Sequence, residues 1–165
     1  MRVQGATVLA LAALAMGAAD VRAHNEGRHA NPKKKEISAE RHPWGREGDP
    51  AKASRTVLVG MADTMRYTPS QLEVRRGETV KFVVTNSGKT MHEMVIGTEA
   101  ELKSHAELMR KFPDMEHDAP YMAHVPPGKR ETITWTFDKA GTFMYGCLVP
   151  GHWEAGMKGT IVVSN

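Results

Sequence analysis

A chain of 165 residues with a formal charge of +3 is long enough for one domain behind a leader. The charge is uneven: residues 24–55 carry eight Lys/Arg against five Asp/Glu, whereas residues 56–165 carry twelve against thirteen. A near-neutral body excludes a nucleic-acid footprint, which needs a basic face on the domain itself, and a lone cysteine, Cys147, excludes a disulfide framework.

Residues 1–23 read as a signal peptide. Arg2 gives a short positive start, 6–19 is apolar and mostly small, and Val21-Arg22-Ala23 is a small-residue cleavage site. The apolar run is too short to span a bilayer, so no membrane span is expected in the mature chain. The mature chain then begins at His24 in the periplasm. Residues 24–55 have almost no aliphatic content and no period, and read as a solvated, disordered basic arm bearing His24, His29 and His42. If cleavage follows Ala23, the α-amine and imidazole of His24 could chelate Cu(II) together.

The body is expected over 56–165. Residues 56–60 (TVLVG), 71–74 (QLEV), 79–85 (TVKFVVT) and 90–97 (TMHEMVIG) read as strands, separated by turn chemistry at Arg76-Gly77 and Asn86-Ser87-Gly88. Thr98 and Glu101 then form a capping box, and Leu102, Ala106, Met109 and Phe112 follow at helical spacing until Pro113 ends the run. One amphipathic helix over 98–112 is therefore predicted. Residues 113–123 read as an irregular acidic loop, and 131–137, 142–147 and 158–164 as further strands. Five to seven short strands with a single helix indicate an all-β sandwich or barrel.

The chemistry gathers in 141–159, GTFMYGCLVPGHWEAGMKG. Cys147, His152 and Met157 offer a thiolate, an imidazole and a thioether at five-residue intervals, a soft to borderline set suited to copper. In an oxidising compartment a lone thiol is a liability unless something occupies it. A His₂Cys site with a distant Met needs one more histidine, and His92 at the start of a strand is the candidate. Tyr145 and Phe143 share the face of Cys147 by the two-residue period, so the thiol should face the core. Met115, His117, Met122 and His124, with Asp114, Glu116 and Asp118, raise the expectation of a weaker second copper, against the plainer reading of a solvated acidic loop.

The string 146–157, GCLVPGHWEAGM, followed by a terminal GTIVV strand, resembles the copper loop of cupredoxins, the type 1 blue copper family. Residues 67–80 (YTPSQLEVRRGETV), with the strand to Asn86 and then Met91-His92-Glu93, resemble the family's first half. The leader, the His-bearing arm, the helical insert and the wording of the loop look most like periplasmic copper-tolerance cupredoxins. The resemblance implies a Greek-key β-sandwich with the site at one end, His92, Cys147 and His152 as equatorial ligands, and Met157 as the weak axial one. Glu93 departs from the pattern, since many members carry Asn after the first ligand histidine.

With all four positions filled by protein, no open site is left for a substrate, and the chain is not expected to be an enzyme. By analogy, Gly151, Trp153, Gly156 and Met91 beside His152 would form the surface through which an electron leaves. The expected role is copper tolerance by a monomeric exported copper protein capable of one-electron transfer with a redox protein partner. A diffusible electron shuttle is the alternative, and a copper chaperone a second.

Overall fold

A computed structural model describes residues 36–165 apart from 114 and 116; the expected signal peptide and residues 24–35 of the arm, with His24 and His29, lie outside the described residues. In chain order the described elements are β1 (Arg41–His42), β2 (Gly45–Glu47), β3 (Arg55–Ala62), β4 (Arg66–Thr68), β5 (Gln71–Arg75), β6 (Thr79–Asn86), β7 (His92–Gly97), α1 (Glu99–Lys111), β8 (Met122–Val125), β9 (Arg130–Thr136), β10 (Gly141–Gly146) and β11 (Lys158–Ser164).

The strands form two sheets, ordered β1-β2-β9-β6-β3-β4 and β5-β11-β10-β7-β8. Pairs are antiparallel except β3 with β6 and β11 with β5. The alternation legible in the sequence is the alternation of burial. In β6, Val80, Phe82, Val84 and Asn86 are buried and their neighbours half-buried; in β5, Leu72 and Val74 point in; in β11, Ile161 and Val163 do. These inner faces, with Trp135, Phe137, Tyr145 and Cys147, make one core between the sheets. The expected β-sandwich with one helix is therefore the fold.

β7 breaks the alternation, for all six of its residues are buried. Met94 and Ile96 belong to the central core, while Val95 faces the other way. α1 covers that outer face with Leu102, Ala106 and Met109, joined by Met122, Leu148 and Trp153. The helix starts as its sequence dictates: Thr98 accepts from the Glu101 N–H, and the Glu101 carboxylate accepts from the Thr98 N–H at 2.8 Å.

Two expectations are corrected. Residues 36–55 are not a solvated arm. β1 and β2 extend the first sheet against β9, and Trp44, 1% exposed, stacks on Trp135 at 4.5 Å between ring centroids. His42 packs edge-on to Tyr121 at 4.7 Å. One large indole, which buries 150–250 Å², outweighs a stretch of low aliphatic content. The acidic loop also ends early, at β8, whose Met122–Val125 backbone pairs with β7. With the two- to four-residue strands β1, β2, β4 and β8, the described residues hold more strands than the five to seven expected.

Candidate metal centre

Four pieces of chain deliver the expected ligands. His92 opens β7, Cys147 follows the last residue of β10, His152 lies in the turn beyond it, and Met157 precedes β11. His92, Cys147 and Met157 are each 0% exposed. The ligand atoms of His92, Cys147 and His152 lie within 4.8 Å of one another. Cys147 Sγ stands 3.2 Å from His152 Nδ1, and the two Nδ1 atoms of His92 and His152 stand 3.3 Å apart. Met157 belongs to the same buried cluster as Cys147, and its carbonyl accepts the Cys147 N–H at 3.1 Å.

The loop carrying three of these side chains is held by its own backbone. His152 N–H donates to Val149 O, Ala155 N–H to Gly151 O, Gly156 N–H to Trp153 O and Met157 N–H to His152 O, each at 3.0 Å. Gly151 and Gly156 sit at φ +87° and +91°, where L side chains are strained. Arg66 pins the loop from β4, donating to Ala155 O at 2.9 Å. Trp153 is not on an exit surface as expected. It is 7% exposed because its ring lies against Gly146, where a Cβ would come within 2.4 Å of it. Met91, 42% exposed, and Gly151 do reach the surface.

The electrostatics suit a metal. Burial pushes the Cys147 thiol up to about 12, against the pull of the Glu93 N–H, which donates to Sγ at 3.3 Å. A thiol so placed stays protonated unless a cation replaces the proton. Burial and the nearby His92 hold His152 below the usual histidine range, leaving its ring neutral with a free lone pair. A buried thiolate position, two imidazole nitrogens and a buried thioether fit copper better than zinc, whose structural sites take four strong N/S ligands.

The Glu93 backbone N–H holds the Cys147 sulfur, while its side chain turns away and accepts from His124 Nδ1 at 3.0 Å. His124 Nε2 in turn donates to His117 O at 3.0 Å. This chain of contacts borders an open groove of about 740 Å³ lined by Met91, Glu93, Met109, Met115, His117 and His124, among others. Across α1, His105 Nε2 and His117 Nε2 approach to 2.7 Å.

Two residues escaped the sequence reading. His105 lies within α1, and nothing in its spacing connects it with His117. Asp63, in the turn after β3, accepts from His92 Nε2 at 3.1 Å. Hydrogen bonds from the 89–90 backbone and the Thr90 hydroxyl hold its carboxyl at about 2.

Comparison with known proteins agrees with this geometry. The sequence profile described as copper binding proteins, plastocyanin/azurin family, matches residues 54–164. The chain is 55% identical over 121 residues to the copper-resistant cuproprotein CopI of Rubrivivax gelatinosus, covering 73% of each chain. It is 33% identical to the copper-resistant cuproprotein CopI of Pseudomonas aeruginosa, covering 73% of this chain and 82% of that one. Among solved structures, the reduced auracyanin of Roseiflexus castenholzii superposes with a TM-score of 0.60 at 25% identity, covering 68% of this chain and 99% of that one.

Proposed function

Because the chain belongs to the plastocyanin/azurin family of copper-binding proteins, we propose that it serves copper tolerance in the periplasm by holding one type 1 copper at His92, Cys147, His152 and Met157. The convergence of His92, Cys147 and His152 within 4.8 Å in a buried site carries the reading. The likeness to copper-resistant cuproproteins favours tolerance over the other roles of such a site.

Copper, when bound, supplies a one-electron Cu(II)/Cu(I) couple. The protein supplies rigidity. The Glu93 N–H fixes the sulfur, the backbone bonds from 149 to 157 fix His152 and Met157, and the 92–97 strand under α1 fixes His92. Ligands that cannot move hold a geometry between those the two oxidation states prefer, so little reorganises when an electron passes. The filled and buried site leaves no position for a substrate, which supports a binding and redox role over catalysis. It also counts against a chaperone, since a buried thiolate releases its metal slowly.

The groove favours a second reading of the tolerance role. His105, held below the usual histidine range by burial, and His117 face each other beside Met115 and are suited to a weaker second copper.

Two measurements test these readings. Purified protein loaded with Cu(II) should show an intense thiolate-to-copper band that Cys147→Ser abolishes, with metal analysis giving the copper count. No band in the wild type refutes the type 1 site, and one copper per chain under excess copper removes the second site. Deleting the gene should give copper-sensitive growth with normal respiration. The reverse pattern would assign a shuttle instead.

A further inference from the structure

Asp63 is an acidic side chain 39% open to solvent, yet its carboxylate is gripped from one side by a single turn of chain. Oδ2 accepts the Lys89 N–H at 2.8 Å. Oδ1 accepts the Thr90 hydroxyl at 2.9 Å, the Thr90 N–H at 3.3 Å and His92 Nε2–H at 3.1 Å. The turn is built to leave room for it. A Cβ on Gly88 would stand 2.2 Å from Asp63 Oδ1 and 2.8 Å from its Cγ, so any other residue there would push the carboxylate out. Asn86 locks the turn from beneath. Its side-chain amide donates to Thr90 O and Val125 O, each at 2.8 Å, and its Oδ1 accepts the Gly88 N–H at 2.8 Å.

An imidazole has two nitrogens, and a hydrogen bond to one decides which lone pair is free at the other. With Nε2–H donated to Asp63, His92 presents Nδ1, and Nδ1 is the atom that faces His152 Nδ1. We propose that Asp63 is a positioning residue of the copper centre: its carboxylate fixes the ring and tautomer of His92 and makes that nitrogen a stronger donor, stabilising Cu(II) over Cu(I). The proposal rests on the ligand set given above. A carboxylate behind a ligand histidine raises ligand basicity and ring order, and losing it typically costs 10–100-fold in metal affinity.

Three variants separate this role from mere charge or folding. Asp63→Asn keeps the size but removes the carboxylate. Gly88→Ala leaves every charge in place and crowds the carboxylate off His92. Glu154→Gln removes an exposed charge from the loop between two ligands without touching the turn. The Cu(II)/Cu(I) equilibrium of Asp63→Asn and Gly88→Ala should shift about tenfold toward Cu(I), a rise of about 59 mV for one electron, while Glu154→Gln stays close to wild type. In the metal-free wild type, ring-nitrogen NMR should show His92 protonated at Nε2, and this preference should weaken in both turn variants. Unchanged potentials in Asp63→Asn and Gly88→Ala, or a metal-free His92 protonated at Nδ1, overturn the proposal. So does a shift in Glu154→Gln as large as in Asp63→Asn. A wild type without a thiolate-to-copper band would instead overturn the ligand set itself, so the two failures are distinguishable.

Discussion

At Cys147, burial and metal binding pull in opposite directions, and the outcome is measurable. Burial pushes the thiol up to about 12, so between roughly pH 7 and 9 the metal-free protein holds it protonated. His152 is held below the usual range by burial and by His92, and its nitrogen is already free in that window. Copper must therefore displace a proton from the sulfur, and the apparent affinity should rise about tenfold per pH unit. Competition titrations across that interval check the slope. A flat profile would mean that the thiolate is preformed, which the apolar walls around it do not favour. The same residue shows what the sequence could and could not convey. The spacing of Cys147, His152 and Met157 was legible because one short loop carries all three. Asp63 was not, because it reaches His92 only through the pairing of β3 with β6 and a turn 26 residues further on.

Elements were legible where local chemistry alone decides them. The capping box and the 102–106–109 stripe define α1, and strict alternation defines β5 and β6. They were illegible where tertiary packing decides. β8 is a strand because β7 offers it a partner, not because Met122–Val125 alternates cleanly. α1 matters to the site through the outer face of β7, the strand His92 opens, so its cap has a consequence at one remove. Thr98→Ala removes the acceptor for the Glu101 N–H and the hydroxyl that donates to the Glu101 carboxylate, leaving that carboxylate only the N–H of residue 98. A lost N-cap costs about 0.5–2 kcal/mol. Urea denaturation should report that loss in full, while the thiolate-to-copper band stays where it was, since Val95 and not His92 packs on the helix. A shifted band would mean that α1 sets the geometry of the centre and does more than cover it.

For the molecule as a whole, stability and chemistry sit at different places. Trp44 packs against Trp135 and lies 6.4 Å from Phe143, measured between ring centroids. Phe143 precedes Cys147 by four strand residues, a run of about 13 Å at 3.3 Å per residue. β1 and β2 add strands to the outside of β9, and the Gly48 N–H continues the pairing onto Thr134 O at 2.9 Å. None of these contacts reaches a ligand. A chain beginning at Ser54, where the family's shared sequence begins, should therefore keep its copper spectrum but lose the contribution of Trp44. Deleting a buried Trp side chain costs about 3–5 kcal/mol, against a total stability of about 5–15 kcal/mol for a domain. Trp44→Ala in the full-length chain should reproduce most of that loss, which separates indole packing from the two short strands. Thermal unfolding of the copper-loaded proteins gives the comparison. If the shortened chain melts with the full-length one, the segment is a passenger on the sheet; if it melts lower with its spectrum unchanged, the 41–53 segment belongs to the fold and the copper chemistry belongs to the other end.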